Sequence, residues 1–576
     1  MHRLRRVLIV LVLVTLFAAG ASAQQGGILI GTNFGGDPTT INPLLTNNTV
    51  DLALVEFMFP SLYNINPETR APTKGGRNDQ DNGLALDWTI SDDGLTYTFT
   101  LRDDVTWNDG TPVTAHDYAY TFEALASGET SSPRGSVLQS VESVEAVDDT
   151  TLIVNLKLAS CRALDELDDF GILPKHHFES LTGGDFAEID NLEYNKHPDV
   201  TSGVFNFGAL IADEQTSMVR NDNHWMSVSP EGYIIRNVPD QLVGIEQFLA
   251  GEVNSVGTAG SASVPAVRMQ EFRERAEAGE FQVYEYVDDG LTFVGFNLAD
   301  RTNPTDGLDE DGNPVDQGKH TLFGDIRVRQ ALAQAVNYDD IIQGAAEGEG
   351  VQVNSFGTPA LWGYDSSIEP WEYNPEAAVA LLAEAGFVDH DDDASTPLVA
   401  TEDALYAEPG SEFAFELLTN SGNLVREAAG TVIQDQLGQI GIAVDFQTIE
   451  FGPLVTFLLG QDFDAIMIGF TNLAQDTDAR NVFTPVGDTV GGGFNFVSYS
   501  NDRVTELYDE ALSLPGCDFH ERQALYHEIS RILHDDVPWW WLFAPFSMYA
   551  EANSVQNWLP YAETRYANMA EIAISP

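Results

Sequence analysis

The sequence predicts an α/β protein with more than one core, and three observations carry that expectation. At 576 residues the chain has room for about three to four domains of roughly 150 residues, or fewer large ones. Its first part is rich in turns and in segments that alternate apolar and polar residues with period two. From about residue 290, strand-like and helix-like segments alternate, as in a sheet with helical connections.

Taken in order, residues 1–23 carry an export signal. Arg3, Arg5 and Arg6 precede an apolar run over 7–20, and Ala21-Ser22-Ala23 supplies a small-x-small cleavage site. The run is shorter than the ~20 residues that cross a bilayer. No cysteine stands at the cleavage site, so a lipoprotein is not expected; the mature chain is expected to be periplasmic or extracellular.

Residues 95–101 and 151–158 read as half-buried strands. Between them Thr114, with Asp117 three residues on, starts a helix that places Tyr118, Phe122 and Leu125 on one face. A further helix is expected at 238–250, ending at Gly251. In the second half, 291–297 is a strand, Asp325 caps a helix over 326–336, and Asn374-Pro375 opens a helix that stops at Gly386. A helix over 424–441 runs into a strand at 442–446, and 464–470 is a continuous apolar strand of the kind buried on both faces. Helices return at 502–512 and 519–534. Residues 300–317, rich in Asp, Gly, Pro and Asn, read as a solvated insertion.

Composition excludes several classes. Lys and Arg number 27 against 89 Asp and Glu, for a formal net charge of -62. Such a surface repels nucleic acid and anionic membranes. Disorder is excluded by 43% hydrophobic and 10% aromatic residues. Cys161 and Cys517 are the only cysteines; in an exported chain they read as one disulfide or as two separate thiols. A bridge closing so long a loop is credited with about 4–5 kcal/mol in the entropic model.

Enzyme signatures are sparse. There is no G-x-S-x-G, P-loop or H-E-x-x-H motif. His520, His527 and His534 share a helix face but stand about 10 Å apart, too far to bind one metal. Asp389, Asp391 and Asp393 occupy positions 1, 3 and 5 of a calcium loop, but Ala394 and Ala400 replace its glycine and glutamate, so no metal site and no cofactor is expected.

One run is specific. Leu86-Asp87-Trp88 leads to the turn Ser91-Asp92-Asp93-Gly94, a strand, and Asp104-Val105-Thr106-Trp107-Asn108-Asp109-Gly110-Thr111-Pro112-Val113-Thr114-Ala115-His116-Asp117. Gly203-Val204-Phe205, Asp325-Ile326-Arg327-Val328-Arg329-Gln330-Ala331-Leu332, Tyr373-Asn374-Pro375-Glu376, 522–533 and Asp536-Val537-Pro538 follow in order. Together they resemble the extracellular solute-binding proteins of family 5, the dipeptide, oligopeptide and nickel class that serves ABC importers.

The resemblance implies an α/β, two-lobed periplasmic-binding-protein-like (class II) fold, with an extra subdomain in the first lobe and a hinge-enclosed cleft. The first lobe would span 24–288 with its inserted subdomain at about 60–200, the second lobe 289–488, and a return to the first lobe 489–576. It implies a monomer that captures a small solute and passes it to the importer's permease, without covalent chemistry. A secreted hydrolase is the competing class.

Ligand contacts carry over to Asp37 and Thr40 after the first strand, Arg134, Thr258, Phe293, Phe451, Phe470, Thr471, Asn495 and Trp541, and the aromatics among them suit a core equally well. Arg134 either receives a ligand carboxylate or lies on the surface. Peptide binders follow Gly-aromatic-x-x-Asp, but here Gly469-Phe470-Thr471-Asn472 is followed by Leu473; Asp476 and Asp478 either replace the amine-binding aspartate or stabilise the loop. Trp539-Trp540-Trp541 would suit sugar stacking, so the expected oligopeptide has an oligosaccharide as its alternative.

Only five of the basic residues are lysines (Lys74, Lys157, Lys175, Lys196, Lys319). Either salt adaptation or a GC-rich genome produces that bias. Salt adaptation predicts a melting temperature that rises between low and molar salt, as screening relieves self-repulsion; a flat or falling profile in a salt titration leaves only the genomic explanation.

Overall fold

The computed structural model describes residues 27–33, 36–46, 49–66, 72–74, 83–134, 140–167, 171–238, 241–257, 264–391, 393, 396–470, 473, 476–561, 565–566 and 568–575. The expected export segment lies outside these residues. No helix among the described residues is long and apolar enough to cross a membrane.

Two four-stranded sheets build the first lobe. In one, Ile28–Asn33 runs parallel to Gly232–Asn237, followed by the antiparallel strands Gln215–Arg220 and Phe205–Ile211. The other is the antiparallel sheet Ala85–Ile90, Thr96–Leu101, Thr151–Leu156 and Val141–Ala146. Its period-two pattern is realised: Tyr97, Phe99 and Leu101 face the core with Leu152, Val154 and Leu156. The helix Ala115–Ala126 packs beside it, and at its start the Thr114 amide donates to Asp117 at 2.8 Å, as the capping pattern predicts.

The second lobe is built on the largest sheet. Ala443–Ile449, Ala414–Asn420 and Ala465–Phe470 are parallel, and Leu291–Phe296 and Trp539–Ala552 complete the order antiparallel to their neighbours. Helices start where side-chain caps are available: the Asp325 carboxylate accepts from the Arg327 amide, Asn374 from Ala377 and Asn423 from Arg426. The helix expected over 424–441 is Leu424–Gly438, and Gly441, at φ 77°, turns the chain into the next strand.

Two strands cross between the lobes, Trp539–Ala552 and the run from Phe281–Val287 into Leu291–Phe296. The first half of Trp539–Ala552 pairs with Leu291–Phe296 in the second-lobe sheet, and its second half pairs with Phe281–Val287. Its last residues also meet Ser255–Val256. Three apolar clusters follow this division: one from the first lobe, one from residues 291–544, and a smaller one at the crossover built on Ile245, Phe272, Phe281 and Met548.

The expected boundary at 489 needs correction. Val504, Leu507, Tyr508, Tyr526 and Ile529, on the helices Asp502–Ser513 and Phe519–Asp536, are buried in the same cluster as Phe293 and Ile466. Those helices cover the second-lobe sheet, and the chain returns to the first lobe only in the second half of Trp539–Ala552. The apolar helix faces were legible; which sheet they cover was not.

The acidic insertion is largely exposed, as expected, but it is tied down. Arg301 donates to Asp464 at 2.6 Å, and Gln317 donates to Asp488 at 2.9 Å. Asp464 also accepts from the Glu416 amide (3.0 Å) and contacts His320 Nε2 (3.1 Å). Burial works against ionisation there, but His320, the Glu416 amide and Arg301 outweigh it and hold the carboxyl at about 2. A depressed acid stabilises the fold fully above its unfolded value near 3.9 and loses that contribution as pH falls toward 2. Urea melts from pH 5 to 2 are expected to show a shallower acid loss for Asp464→Asn than for the unsubstituted protein, together with lower stability at pH 7.

Candidate functional site

The crossover strands identify the wall of the second lobe that faces the first. They leave the second-lobe sheet at Leu291 and Phe543, and Leu291 is paired with Phe470. Asn420, Ile449 and Phe470 therefore end their strands at the edge turned toward the first lobe. Ligands of open α/β sheets bind beyond the carboxyl ends of parallel strands, and here that edge is also the inter-lobe face.

Phe470 lies half-buried there, its ring 5.6 Å from Phe293 and 5.2 Å from Trp539. Phe451 opens the helix Phe451–Leu459 with 56% of its surface exposed, and Leu424 opens the neighbouring helix at 77%. Arg426 stands in the first turn of Leu424–Gly438. Its Nη1 donates to Asn420 Oδ1 at 2.7 Å, and its Nη2 lies so close to Gly469 that a Cβ there would sit 3.0 Å away. Among the described residues no carboxylate reaches Arg426. Burial alone holds its guanidinium below the ordinary arginine value.

On the first-lobe side, Gly36–Thr40 follows the strand Ile28–Asn33. Asp37 accepts from the Asp213 amide and from Asn237 Nδ2 (2.5 Å), while Asp51 holds the Thr39 amide at 2.9 Å and the Thr40 amide at 3.2 Å. Asp37 and Thr40 are thus the braces of a fixed loop at the carboxyl ends of the two parallel strands.

Several expected contacts lie elsewhere. Arg134 is buried and donates to the carbonyls of Pro43 (3.3 Å) and Thr46 (3.2 Å), bracing that turn; it is neither a surface residue nor an exposed carboxylate receptor. Asn495 is fully buried, with Nδ2 on the carbonyls of Thr484 and Tyr499. Phe293 is core, stacked on Trp539 at 3.6 Å with rings 2° from parallel. Trp541 is 1% exposed, and Trp539 and Trp540 are as deeply enclosed, so the three tryptophans offer no stacking platform to a sugar. Thr258 and Thr471 lie outside the described residues. The candidate calcium loop brings Asp389, His390 and Asp391 within ligand reach of one another on an exposed turn.

Asp476 and Asp478 are engaged by arginines. Asp476 Oδ2 accepts from Arg522 at 2.7 Å and lies 3.5 Å from Arg162 Nε; Asp478 Oδ2 accepts from Arg162 Nη1 at 3.1 Å. Burial pushes the Asp478 carboxyl up despite Arg162. Leu473, in the amine-contact position of peptide binders, packs against the second-lobe core. The cysteines form one disulfide, Cys161–Cys517, across a sequence separation of 356.

The model of the bacterial extracellular solute-binding proteins, family 5 (middle region), matches residues 80–492. The chain belongs to that family. Among relatives of this family 5 protein is the oligopeptide-binding protein AppA of Bacillus subtilis, 25% identical over 547 residues, covering 94% of this chain and 90% of AppA. A probable ABC transporter-binding protein of Deinococcus radiodurans is 25% identical over 567 residues, covering 93% and 89% of the two chains. The structure of AppA in complex with a nonapeptide superposes with a TM-score of 0.69 at 25% identity, covering 96% of this family 5 protein and all of AppA. The expected two-lobed α/β fold is the fold of these relatives.

Sequence reasoning missed Arg426, although a signal was present. A cation in the first turn of a helix opposes the macrodipole, and a chain so poor in basic residues places one there right after a strand's carboxyl end. Arg162 carried no local signal, since its partners lie more than 300 residues away. Truncating one partner of a buried ion pair leaves the other charge stranded, at about 3–5 kcal/mol. Asp476→Ala is therefore expected to lose stability on that scale in urea melts; a loss below about 1 kcal/mol would show that Arg162 and Arg522 find other partners.

Proposed function

We propose that this protein is the extracytoplasmic solute-binding component of an ABC importer, which encloses an oligopeptide between its lobes and presents the closed complex to the permease. Family membership supports the carrier role, and the relative solved with a nonapeptide supports the ligand class. Closure is a hinge equilibrium in which a solute touching both lobes stabilises the closed state by its differential affinity for it. The protein works as an exported monomer, and no covalent step is required.

Arg426 carries the ligand reading. A half-buried guanidinium at the inter-lobe edge, against Gly469 and on the helix that opens with exposed Leu424, suits an elongated solute with an apolar body and a carboxylate. Arginine binds a carboxylate by paired, charge-assisted hydrogen bonds. With Leu473 in the amine position and Asp476 and Asp478 engaged by arginines, the carboxylate is the end this site selects. The oligosaccharide alternative rested on the tryptophan run, and that run is core.

Thermal-shift screening of peptide and oligosaccharide libraries tests this reading. A peptide at 100 times its Kd is expected to add about 2.7 kcal/mol of stability. Amidating that peptide's carboxylate, or introducing Arg426→Ala, is expected to weaken binding at least tenfold by calorimetry, about 1.4 kcal/mol. Stabilisation by sugars alone would refute the peptide reading, and turnover of either library would refute the carrier reading.

A further inference from the structure

The lobes touch at a second place besides the crossover. The segment between the strand Thr151–Leu156 and the helix Ala163–Leu167 leaves the first-lobe subdomain and docks on the second lobe. Cys161 is bonded to Cys517 with their Cα atoms 5.4 Å apart, and the Cys161 amide donates to the Leu512 carbonyl at 2.7 Å. Arg162 reaches the pair Asp476 and Asp478, and Asp476 is shared with Arg522. Both ends are rooted in cores: Ala163 and Leu167 in the first-lobe cluster, Ala511 and Tyr526 in the second. The hydrogen bonds and ion pairs that the structure describes between residues 27–238 and 289–544 are those of this contact.

The second-lobe side of the contact is held in a strained backbone. Cys517 (φ 49°) and Thr477 (φ 58°) are non-glycine residues in the left-handed region, where a well-determined surrounding structure must hold them. That support is visible at Gly363, where a Cβ would lie 2.2 Å from the Asp476 carbonyl oxygen. A rigid loop on each lobe is thus joined by one covalent bond and a shared carboxylate cluster.

We infer that Cys161–Cys517, with Arg162 on Asp476 and Asp478, is an inter-lobe clasp that limits how far the cleft opens in the ligand-free protein. The crossover strands, with Arg273 on Glu349 beside them, form one attachment, and a second fixed point confines the lobes to rotation about the line between the two. The clasp holds the ligand-free state near closure, lowering the conformational cost of capture while narrowing the entrance. The inference rests on the hinge reading of the proposed function and is independent of what the ligand is.

The test therefore uses no ligand. A phosphine reductant delivers two electrons to the half-buried bridge, two protons follow, and two thiols remain. The radius of gyration from small-angle scattering and amide exchange over residues 36–46 and 419–424 are compared for oxidised protein, reduced protein and the Cys161→Ser/Cys517→Ser variant. The clasp predicts a larger radius and at least tenfold faster exchange at both cleft edges once the bond is gone, with a cooperative melt retained. Arg162→Ala, with the disulfide intact, is expected to shift both readouts in the same direction but less. Unchanged radius and exchange in folded, reduced protein would overturn the inference. So would loss of cooperative melting on reduction, because the bridge would then be a staple of the fold. Failure to find any peptide ligand would leave these readouts, and the inference, standing.

Discussion

The strand Trp539–Ala552 is the constraint on which the molecule depends, because two lobes with separate cores share its backbone. Its first half is buried among Phe293, Phe483 and Phe496, and its second half carries Met548 and Ala550 into the crossover cluster. Along this edge the ladder shifts register between Thr292 and Phe293 and is interrupted where Asp288-Asp289-Gly290 faces Ala544 and Pro545, between the Val287–Phe546 and Thr292–Phe543 pairs. Proline offers no amide there, and a glycine on the other strand adds backbone freedom. Asp288 instead donates its amide to the Pro545 carbonyl and accepts from the Ser547 hydroxyl, so the chains stay joined across the gap. On its other edge the same stretch pairs with Gly350–Gln352, so the strand stays tied to the second lobe as far as Pro545 and crosses to the first lobe beyond it.

Charge is distributed according to the same division of labour. Carboxylates outnumber cationic side chains more than threefold, and several arginines carry an acidic partner, Arg565 on Glu551, Arg522 on Asp476 and Arg301 on Asp464, whereas buried Arg134 and Arg329 donate to main-chain carbonyls. Each pair has a positional task, fixing the C-terminal segment, the clasp loop or the acidic insertion, and buried pairs are better evidence for such specification than for net stability. Arg426, at the inter-lobe edge, donates to Asn420 and has no carboxylate in reach among the described residues. Net charge describes the solvent-facing surface; selection falls to the few positions where the surplus of carboxylates has been kept away.

Much of the fold was legible because its signals are local. Thr114 and Asp117, Asn374-Pro375, and the alternation over 96–101 each specify an element from neighbours within one or two turns. The site was less legible because burial is a long-range property. Phe293, Phe451 and Trp541 look alike in sequence, yet the first and last are closed over by strand pairing and aromatic stacking, while Phe451 stands exposed at a helix start. Arg134 and Asn495 were misplaced for the same reason: their donors meet the carbonyls of turns that form only when the lobe folds. The two cysteines were a sound disulfide candidate from compartment and count, but that they join two lobes depends on Cys517 lying beside helices that cover the second lobe.

The buried tryptophans still shape the cleft, though not by touching a solute. Trp539 is sandwiched between Phe293 and Phe496, 3.6 and 5.6 Å away, and meets Phe470 edge-on. Phe470 is therefore propped from beneath by a layer whose rings cannot shift without opening the core. A wall supported in this way presents the same shape with and without solute, so little ordering cost falls on the second lobe when a ligand arrives. The remaining cost lies in bringing the lobes together about the crossover. One strand thus serves both lobes: its tryptophans brace the wall at its start, and its second half carries the backbone across to the first lobe.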